Sequence, residues 1–563
     1  MIIGIDLGTT NSLVACIEDG EAKIIPNALG RNLTPSVVGL DNDKQVIVGE
    51  PARQRLTTHA DRTIASFKRY MGTDHIFRLG RQKFRAEELS ALLLGSLKRD
   101  AESYFGEEVT EAVISVPAYF NHAQRKATKV AGELAGLEVR RLINEPTAAA
   151  IAYGLHENLA ESTFMVFDLG GGTFDISILE LFDGVMQVHA CAGDNYLGGE
   201  DFTDAIVKHF LAEHDLSAKK LKPAEYANLQ RTADNCKLSL SKGNDVLMKL
   251  DLKGSTHETD LSLSAFETLI EPLLVRLRKP IETALRDANI NASELDSVVM
   301  VGGACRMPMI RANVSRMLSK LPHSNIDYDQ TIALGTAVQA GLIASDETLE
   351  EIVLTDVMPY SLGVGVHNEN SNDPAELLFS PIIERNSPVP VSRADDFYPV
   401  DEKQKKIEFR IYQGEARHVG DNVMLGSVSI PVVPGDLASN KVDVRFTFDL
   451  NGILEVEIQK DKLQRRLIIE GNPGVLSKAE IDKSFAKLAD LKIHPREKTE
   501  NAAALNRAYR LYEEHIGDNR EYIGKLLSYF EDVLAGQDPQ EIDSIRAQFE
   551  EKLDEFDDDP LSN

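Results

Sequence analysis

The chain begins with short apolar runs separated by polar turns. Residues 1–5 are mostly apolar and lead into Asp6 and Gly8, and a second apolar run at 13–17 ends near Asp19-Gly20. An Asp-Gly pair between two apolar runs favours a tight β-hairpin turn. The pattern therefore predicts a strand, a glycine turn, a second strand, a hairpin and a third strand.

The same order of elements returns about 160 residues later, which is the mark of an internal repeat. The apolar run 164–167 leads into Asp168 and the glycines 170–172, the apolar run 176–179 follows, and Asp183-Gly184 marks the next hairpin. One such copy could be coincidence, because Asp-x-Gly turns are common. Two copies with matching flanks predict a duplicated α/β unit with a cleft between its halves.

Both glycine turns have the chemistry of a phosphate site. Glycines let backbone N–H groups approach anionic oxygens, and threonine hydroxyls add donors. An aspartate at the carboxyl end of a strand, such as Asp6 or Asp168, can hold Mg²⁺ through water. The sequence has neither a GxxxxGK(S/T) P-loop nor a well-placed GxGxxG motif. It predicts two facing loops that clamp a polyphosphate in another way.

A third glycine turn, Gly302-Gly303, follows the apolar run 298–301 and precedes Arg306. Two glycines after a buried strand, and an arginine plane that can stack on a base, suit the adenosine end of a nucleotide. On its own this turn is typical of an ordinary strand–helix connection. Together with the other two turns it supports a nucleotide site.

Two helix starts lie between the repeated turns. Asn121 followed by Gln124 is a capping-box pattern, and that helix is predicted to end near Gly136. Residues 144–146, Asn-Glu-Pro, begin an alanine-rich helix that is predicted to end at Gly154. The alanines permit close approach between helices, which is a purely structural role.

Glu145 and Lys68 are candidates for the chemistry. Glu145 stands at the start of the alanine-rich helix, where its carboxylate can face the cleft and order a water molecule or a metal ion. Lys68 can reach the same phosphates as a mobile point charge. Judged by spacing alone, Lys68 is better explained as a surface lysine.

The pattern changes after residue 350. A short apolar string with acids on both sides occupies 350–357, and strict alternation then appears at 407–411, 428–432 and 442–448. These runs predict a compact β-sandwich of about 110 residues. From Ser477 the apolar residues follow helical spacing, which predicts a small helical bundle.

Composition and charge exclude several classes of protein. The chain is 43% hydrophobic and 27% charged, which is typical of a globular protein. Its net charge of −28 argues against nucleic acid or an anionic membrane as the main partner. The four cysteines form no CxxC pair, and no apolar run approaches the ~18 residues of a membrane span. The first residues already form the predicted functional strand, so we expect no signal peptide and a cytoplasmic protein.

The motifs, taken together and in order, resemble the 70-kDa heat-shock (Hsp70, DnaK-type) chaperone family. The resemblance covers nearly the whole chain, and its shortened tail is most similar to the HscC branch. The matching segments are GIDLGTTNS at 4–12, VPAYF at 116–120, INEPTAAAIAYG at 143–154, DLGGGTFD at 168–175, GDNYLGGEDF at 193–202 and VGG at 301–303.

This resemblance implies a fold and a division into domains. An α/β actin-like two-lobed ATPase domain, made of duplicated ribonuclease-H-like units, would occupy 1–349. An interdomain linker at 350–357 would lead to an all-β sandwich for peptide binding at 358–476. A shortened α-helical lid with an acidic tail would fill 477–563.

The resemblance also implies roles for individual residues, with ATP and Mg²⁺ as cofactors. The catalytic residues would be Lys68, Glu145, Asp168, Thr173 and Asp175, and Asp6 and Asp168 would hold Mg²⁺ through water. Pro117, Arg141 and Leu354 would relay the nucleotide state. The nucleotide would be bound by Gly8, Thr9, Thr10, Asn11, Gly170, Gly171, Gly172, Thr173, Gly198, Gly199, Asp234, Lys237, Ser241, Gly302, Gly303, Arg306 and Asp329.

Two positions depart from the family pattern. Asp234 stands where glutamate is usual and Leu238 where arginine is usual, and each loss should remove about 1 kcal/mol of contact with adenosine. We therefore expect weaker nucleotide binding and faster exchange. In the linker, Thr355 interrupts the usual leucine-rich string, so we expect weaker docking.

Clients and partners follow from the same resemblance. An extended apolar peptide would lie in a groove lined by Val364, Val366, Phe397, Val400, Ile407 and Phe409, and His367 replaces a bulky arch residue. The implied partners are unfolded clients, a J-domain co-chaperone and a nucleotide exchange factor, with the chain largely monomeric. A sugar kinase, an actin-like filament protein and a holdase without turnover stay open as alternatives, although the sandwich and helical tail speak against the first two.

Overall fold

A computed structural model gives the fold of the chain. The residues it describes are 1–41, 45–157, 161–182, 185–252, 255–323, 327–344, 353–368, 376–449, 454–469, 499–515 and 517–556. The predicted turn Asp183-Gly184, the start of the helical region at Ser477 and the acidic end of the tail lie outside these residues.

The first lobe is built on a mixed sheet in the order β11-β10-β1-β2-β3, with β4 paired to β2. Strand β1 runs parallel to β10 and antiparallel to β2. The strands are β1 (Ile2–Asp6), β2 (Asn11–Glu18), β3 (Glu21–Ile25), β4 (Thr34–Pro35), β5 (Val37–Leu40), β6 (Val46–Val48), β7 (Thr63–Ala65), β8 (Phe77–Leu79), β9 (Gln82–Phe84), β10 (Glu111–Val116) and β11 (Glu138–Asn144). The helices are α1 (Glu50–Arg53), α2 (Ala86–Phe105), α3 (His122–Leu134) and α4 (Glu145–Glu157).

The hairpin turn and the helix cap predicted in this lobe form as their residues require. Asp19 and Gly20 both have positive φ, as the two-residue turn between β2 and β3 demands. Asn121 and Gln124 cap α3 reciprocally, each side chain bonding the other's backbone N–H. The predicted end of α4 at Gly154 is wrong, because the helix continues to Glu157.

The second lobe repeats the plan of the first. Its sheet runs β17-β12-β13-β14, and β12 is parallel to β17 and antiparallel to β13, as β1 is to β10 and β2. The elements are β12 (Glu161–Leu169), β13 (Phe174–Phe182), β14 (Val185–Asp194), β15 (Val246–Leu252), β16 (Ser255–Leu261), β17 (Ser297–Val301), α5 (Gly199–Glu213), α6 (Pro223–Leu240), α7 (Leu263–Asp287), α8 (Pro308–Leu318) and α9 (Thr331–Ile343). The predicted duplication is confirmed.

Helices α4 and α9 cross between the two sheets and join the lobes. A Cβ atom on Gly335 of α9 would lie 1.8 Å from the carbonyl oxygen of Ala148, so the two backbones touch. The alanines at 148–150 are fully buried in the core that both sheets share. The predicted close approach of the alanine-rich helix is therefore confirmed.

After the lobes, the linker forms strand β18 (Val353–Val357), which adds to the second lobe. It pairs in parallel with β14 and antiparallel with β21 (Pro388–Val389), so it lies between the nucleotide lobe and the following domain. That domain packs two four-stranded sheets, β20-β19-β23-β24 and β22-β25-β26-β27. Its other strands are β19 (Leu362–His367), β20 (Leu377–Ile383), β22 (Val391–Phe397), β23 (Lys406–Gln413), β24 (Val423–Pro431), β25 (Val442–Phe448), β26 (Leu454–Lys460) and β27 (Leu463–Ile469).

The C-terminal part is a bundle of α10 (Thr499–Glu514), α11 (Gly517–Gly536) and α12 (Pro539–Asp554). Ile523, Leu527 and Phe530 of the predicted stripe are buried in its core, and Asp538 caps α12 by accepting the backbone N–H of Glu541. None of the helices in the described part of the chain is both long and apolar enough to cross a membrane.

Candidate functional site

The two repeated glycine turns meet in the cleft between the lobes. A Cβ atom on Gly171 would lie 2.0 Å from Oγ1 of Thr10, and one on Gly172 would lie 2.9 Å from Cγ2 of Thr9. Only glycine permits such an approach, because real Cβ contacts are never this short. Thr9 and Thr10 in the first lobe and Gly171 and Gly172 in the second therefore enclose one site.

Each turn is held rigid by its own lobe. In the first lobe the Ser12 hydroxyl accepts the backbone N–H of Gly8, and a Cβ on Gly8 would lie 2.0 Å from the carbonyl oxygen of Asn11. In the second lobe the backbone N–H groups of Gly199 and Glu200, at the start of α5, bond to the carbonyl oxygens of Gly170 and Gly171. The turns are thus preorganised, which favours anion binding through their N–H groups.

Lys68 and Glu145 form a buried ion pair in the cleft. The distance from Lys68 Nζ to Glu145 Oε1 is 2.7 Å, and both side chains are at most 8% exposed. Lys68 lies in a 3₁₀ turn, Phe67–Tyr70, and its ammonium group is 5.6 Å from the centre of the Phe120 ring. The structure therefore places Lys68 inside the cleft and excludes the surface position.

Three buried aspartates surround this pair. Ser115 donates a hydrogen bond of 2.7 Å to Asp6 at the end of β1. Asp168 and Asp175 face each other across the β12–β13 hairpin, and the backbone N–H of Tyr119 donates to Asp175 over 3.0 Å. Thr173 is buried in the same hairpin turn, and its carbonyl oxygen accepts the N–H of Gly170.

The negative charges raise one another's pKa values. Burial raises the pKa of Asp6 to about 7, the charge of Glu145 adds to the rise, and Lys68 opposes it. Burial likewise raises the pKa of Asp175 to about 7. The pKa of Asp168 lies well above its usual range, because of burial and the charges of Glu145, Asp175 and Asp6. Asp6 and Asp168 therefore act on each other within one cavity.

This arrangement fits a hydrated divalent cation. The Oδ2 atom of Asp168 is buried and has no hydrogen-bond partner among the described residues. No group of three or more His, Cys, Asp or Glu side chains in that part of the chain could hold a metal directly. A cation held through its water shell needs only carboxylates such as Asp6 and Asp168, which the cleft supplies.

The residues predicted to contact adenosine lie in two groups. On α6, Lys237 bonds to Asp234, to Thr203 and to the carbonyl oxygen of Gly199, while Ser241 bonds back to Lys237. Leu238 is 52% exposed and makes no polar contact there. This group is therefore attached to the start of α5 and hence to the phosphate turn.

The second group follows β17. Gly302 has a φ of +85°, and a Cβ on it would lie 2.4 Å from the carbonyl oxygen of Leu169. Arg306 pairs with Asp329 at 2.6 Å and covers the ring of Tyr328, with half of its side chain exposed. The third glycine turn thus packs directly on the second one, although the two were far apart in the sequence.

Comparison with known proteins decides the family. The family model described as "Hsp70 protein" matches residues 2–78 and 75–559. The protein named "Chaperone protein DnaK" of Thermosipho melanesiensis is 38% identical over 562 residues, covering 97% of this chain and 91% of that protein. The chain belongs to the Hsp70 family. It is therefore an ATP-dependent chaperone and an ATPase.

A further relative supports the same assignment. "Chaperone protein DnaK" of Thermotoga neapolitana is 41% identical over 472 residues, with 81% of this chain and 77% of that protein covered. The family resemblance stated from the sequence is confirmed, and it replaces the sugar-kinase and filament alternatives. The similarity to the HscC branch is not confirmed and stays a prediction.

In this Hsp70 protein, the linker is docked beside the predicted relay. Asp356 of β18 is partly buried and accepts a 2.7 Å hydrogen bond from Asn144, and Arg141 bonds to Gln339 over 3.2 Å. The residue that sequence reasoning missed is Arg125, which donates to Asn144 and to the carbonyl oxygens at 118 and 120. Its only signal was a place on the inner face of α3.

Pro117 and Leu354 flank this contact. The carbonyl oxygen of Pro117 accepts the N–H of Phe120, in the turn between β10 and α3. The backbone of Leu354 pairs with Met186 of β14, and Thr355 donates to the carbonyl oxygen of Met186 over 3.4 Å. Thr355 therefore takes part in the docked strand, while the strength of docking stays a prediction.

The sandwich also contacts the lobes directly. Arg385 forms an ion pair of 2.7 Å with Asp287 at the end of α7. Tyr360 donates to the carbonyl oxygen of Tyr119 over 2.9 Å, and the two rings lie 4.4 Å apart. These contacts were not predicted, because each joins segments more than 90 residues apart.

The predicted groove residues do not all lie together. Val364, Ile407 and Phe409 are buried in the sandwich core, and Val366 and Phe397 pack against it. Val400 is 59% exposed and lies outside this cluster. His367 is half-buried at the end of β19.

Proposed function

We propose that the chain hydrolyses Mg²⁺–ATP between its two glycine turns and uses the cycle to bind and release extended apolar segments of client proteins. The observation that carries the proposal is the buried Lys68–Glu145 pair, which lies among three aspartates with raised pKa values. Burying several charges so close together raises the free energy of the folded protein, and a bound ligand that pairs with these charges compensates for this.

The phosphates would lie against the two turns. Thr9 and Thr10 would supply hydroxyl groups and backbone N–H groups from the first lobe, and Gly171 and Gly172 would supply N–H groups from the second, while the N–H of Gly170 closes the turn on Thr173. Gly198 and Gly199 begin α5, whose positive end points toward the same turn. Asn11 keeps the first turn closed through its contact with Gly8.

Asp6 and Asp168 would hold Mg²⁺ through its water molecules. When bound, the cation neutralises charge on the phosphates and fixes their orientation. Ser115 orients the carboxylate of Asp6, and the Oδ2 atom of Asp168, which has no hydrogen-bond partner among the described residues, would be available to accept a hydrogen bond from a water molecule of the cation's shell.

Lys68, Glu145, Asp175 and Thr173 would position the attacking water. The ammonium group of Lys68 can lie between Glu145 and the terminal phosphate, where it stabilises negative charge as it develops. Asp175, fixed by the N–H of Tyr119, can accept a hydrogen bond from that water. The protein contributes position and electrostatic stabilisation, and it forms no covalent intermediate.

The remaining adenosine contacts would come from both sides of the cleft. Asp234, Lys237 and Ser241 would face it from α6. Gly302, Gly303 and Arg306 would face it from the turn after β17, and Asp329, which pairs with Arg306, from the segment before α9. Because Leu238 offers no polar group there, we keep the expectation of weak nucleotide binding.

Coupling would pass through the docked linker. Leu354 belongs to the strand that joins the lobes to the sandwich, and the charge of Arg141 acts on Asp356 in that strand. Pro117 begins the turn that Arg125 holds, so a change in lobe closure can alter docking of the strand. If ATP weakens client binding, clients must in turn alter ATP turnover or affinity, because free-energy coupling is reciprocal. Val364, Val366, Phe397, Val400, Ile407 and Phe409 would serve the groove from its floor and rim.

The proposal includes the wider organisation. We assign 1–349 to the ATPase domain, 350–357 to the linker, 358–476 to the peptide-binding sandwich and 477–563 to the helical lid. The expected partners are unfolded clients, a J-domain co-chaperone and a nucleotide exchange factor. We expect a largely monomeric, cytoplasmic protein that binds neither nucleic acid nor membranes.

The test is single-turnover ATP hydrolysis by the full chain, with and without Mg²⁺, an unfolded client and a J-domain protein. We expect Mg²⁺-dependent hydrolysis that the client and the J-domain protein accelerate. Hydrolysis that neither addition changes would overturn the coupling, and tight ATP binding without any hydrolysis would favour the holdase alternative.

A further inference from the structure

The turn that carries Lys68 is fixed to the opposite lobe on both of its sides. On one side the hydroxyl of Ser66 donates a hydrogen bond to Glu200. On the other, Arg69 Nη2 lies 2.7 Å from Asp201 Oδ2 and Arg69 Nη1 lies 3.4 Å from Glu200 Oε2. Ser66 and Arg69 belong to the first lobe, and Glu200 and Asp201 belong to the second.

Ser66 adopts an unusual backbone conformation to make its contact. Its φ of +58° and ψ of +21° lie in the left-handed region, which a non-glycine residue occupies at an energetic cost. The hydrogen bond to Glu200 is the contact that holds it there from across the cleft. If the lobes separate, this bond breaks, and the 3₁₀ turn loses the contact that stabilises its position.

The acidic partners are part of the phosphate turn. Glu200 donates its backbone N–H to the carbonyl oxygen of Gly171, and the carboxylate of Asp201 accepts the N–H of Gly198 as well as Arg69. Burial raises the pKa of Glu200, and Ser66 and Arg69 lower it by stabilising the carboxylate. The charged form of Glu200 is therefore stabilised by its partners in the other lobe.

Arg69 also lies against the second glycine turn. A Cβ atom on Gly172 would be 3.0 Å from Cγ of Arg69, and the Nε atom of Arg69 is buried without a hydrogen-bond partner among the described residues. A free N–H next to a phosphate turn is a donor that a bound anion or its water can use.

We propose that Ser66, Arg69, Glu200 and Asp201 form an interlobe clasp that positions Lys68 only when the cleft is closed and that limits the escape of nucleotide. The clasp rests on the proposed ATP site, since it acts on a nucleotide held there. Ser66 and Arg69 are positioning residues, and they act through the turn that bears Lys68.

The clasp has two expected effects that can be separated. Opening it should speed the dissociation of ADP, because the partly buried Arg69 contacts must break before the lobes part. It should also slow hydrolysis, because the Lys68 turn loses its anchor. A residue that only stabilised the fold would shift the unfolding midpoint without changing either rate in this pattern.

The experiment measures stopped-flow release of a fluorescent ADP analogue from the full chain, together with single-turnover hydrolysis. We expect Arg69→Gln to speed release about tenfold, in line with the loss of a partly buried charge pair. Arg69→Lys, which keeps the charge, should restore release to within about threefold of the wild type. Salt should speed release from the wild type more than from Arg69→Gln, because salt screens the ion pairs.

The matched control is Arg276→Gln. Arg276 pairs with Asp194 at 2.6 Å, but both residues belong to the second lobe, so this ion pair does not cross the cleft. Release from this variant should equal that of the wild type. Accelerated release from Arg276→Gln and Arg69→Gln alike would show that loss of any ion pair matters, and it would overturn the clasp.

A double variant tests whether the residues act as one unit. If Arg69 and Glu200 act through the same contact, the double variant Arg69→Gln/Glu200→Gln should release ADP at most about twofold faster than either single variant. The proposal would be overturned if the accelerations caused by the two single substitutions multiply fully in the double variant. It would also be overturned if Arg69→Gln releases ADP at the wild-type rate. A wild-type chain that binds no ADP would instead refute the proposed ATP site, which distinguishes the two failures.

Discussion

Asn144 and Asp356 connect the linker to the nucleotide cleft. Asn144 Nδ2 donates to Asp356 Oδ2 over 2.7 Å, and the next residue along the chain, Glu145, forms the ion pair with Lys68. Arg125 donates to the other side of the same amide. One peptide bond therefore separates the residue that bonds to β18 from the residue that forms an ion pair with Lys68.

We expect Asp356→Ala to uncouple clients from ATP turnover. The substitution leaves Asn144 without its hydrogen-bond partner in β18 and removes the carboxylate that Arg125 stabilises electrostatically, which weakens docking of β18. Acceleration of single-turnover hydrolysis by an unfolded client should fall to less than about twofold. Asp421→Ala, at an exposed position of the sandwich, is the control and should respond like the wild type. Full acceleration in Asp356→Ala would contradict the relay.

Lys68→Ala should remove most hydrolysis and keep nucleotide binding. The loss of one preorganised charge at the reacting phosphate is expected to slow single-turnover hydrolysis by about 100-fold or more. ATP affinity, measured by calorimetry, should change much less, because the turns still hold the phosphates. Lys249→Ala, in an exposed ion pair with Glu258 between β15 and β16, is the control. Unchanged turnover in Lys68→Ala would defeat the role given to Lys68.

The pH dependence of stability should follow from Asp6. Its pKa rises from 3.8 in the unfolded chain to about 7 in the fold, so the folded state holds a proton that the unfolded state has lost between these values. The stabilising contribution is fully present below about pH 4 and is lost as the pH rises through about 7.

Asp6→Asn removes this titration. Above pH 7 it should stabilise the nucleotide-free protein, on the order of 1–3 kcal/mol, and it should weaken Mg²⁺–ATP binding. Urea unfolding at about pH 5 and about pH 8 measures the first effect. The exposed Asp260→Asn is the control. A variant that destabilises the protein at the higher pH would show that the carboxylate is not under strain there.

Gly171→Ala should prevent the two turns from meeting. The new Cβ atom would lie 2.0 Å from Oγ1 of Thr10, so the lobes must shift apart. We expect ATP affinity to fall by at least about tenfold, because phosphate contacts from both lobes are lost together. Gly420→Ala introduces a Cβ with nothing within 4 Å and serves as the control. ATP affinity equal to the wild type would show that the turns do not share a ligand.

Leu238→Arg should slow nucleotide release. The side chain is exposed on α6, one residue after Lys237, where a guanidinium group can cover the adenosine. A gain of about 1 kcal/mol corresponds to release about fivefold slower in the stopped-flow assay. Leu247→Arg, exposed on β15, is the control. Equal release from Leu238→Arg and the wild type would remove the reason given for rapid exchange.

The sequence by itself determined those features that depend on neighbours along the chain. The Asp19-Gly20 hairpin, the reciprocal cap of α3 and the alternation of β23 follow from backbone freedom, short-range hydrogen bonds and side-chain period. The repeated glycine turns were recognisable for the same reason. Local rules failed at the end of α4, where the helix continues past Gly154 to Glu157.

Only the tertiary structure decided what each polar residue does. Burial turned Lys68 from a possible surface lysine into the partner of Glu145, 77 residues away. The contacts of two arginines also depend on the tertiary structure. Arg125 bonds to Asn144 beside β18, and Arg69 bonds across the cleft to acidic residues that lie more than 130 residues further on. Charge pairing between distant segments depends on which surfaces the fold brings together, and no local pattern of the chain encodes that.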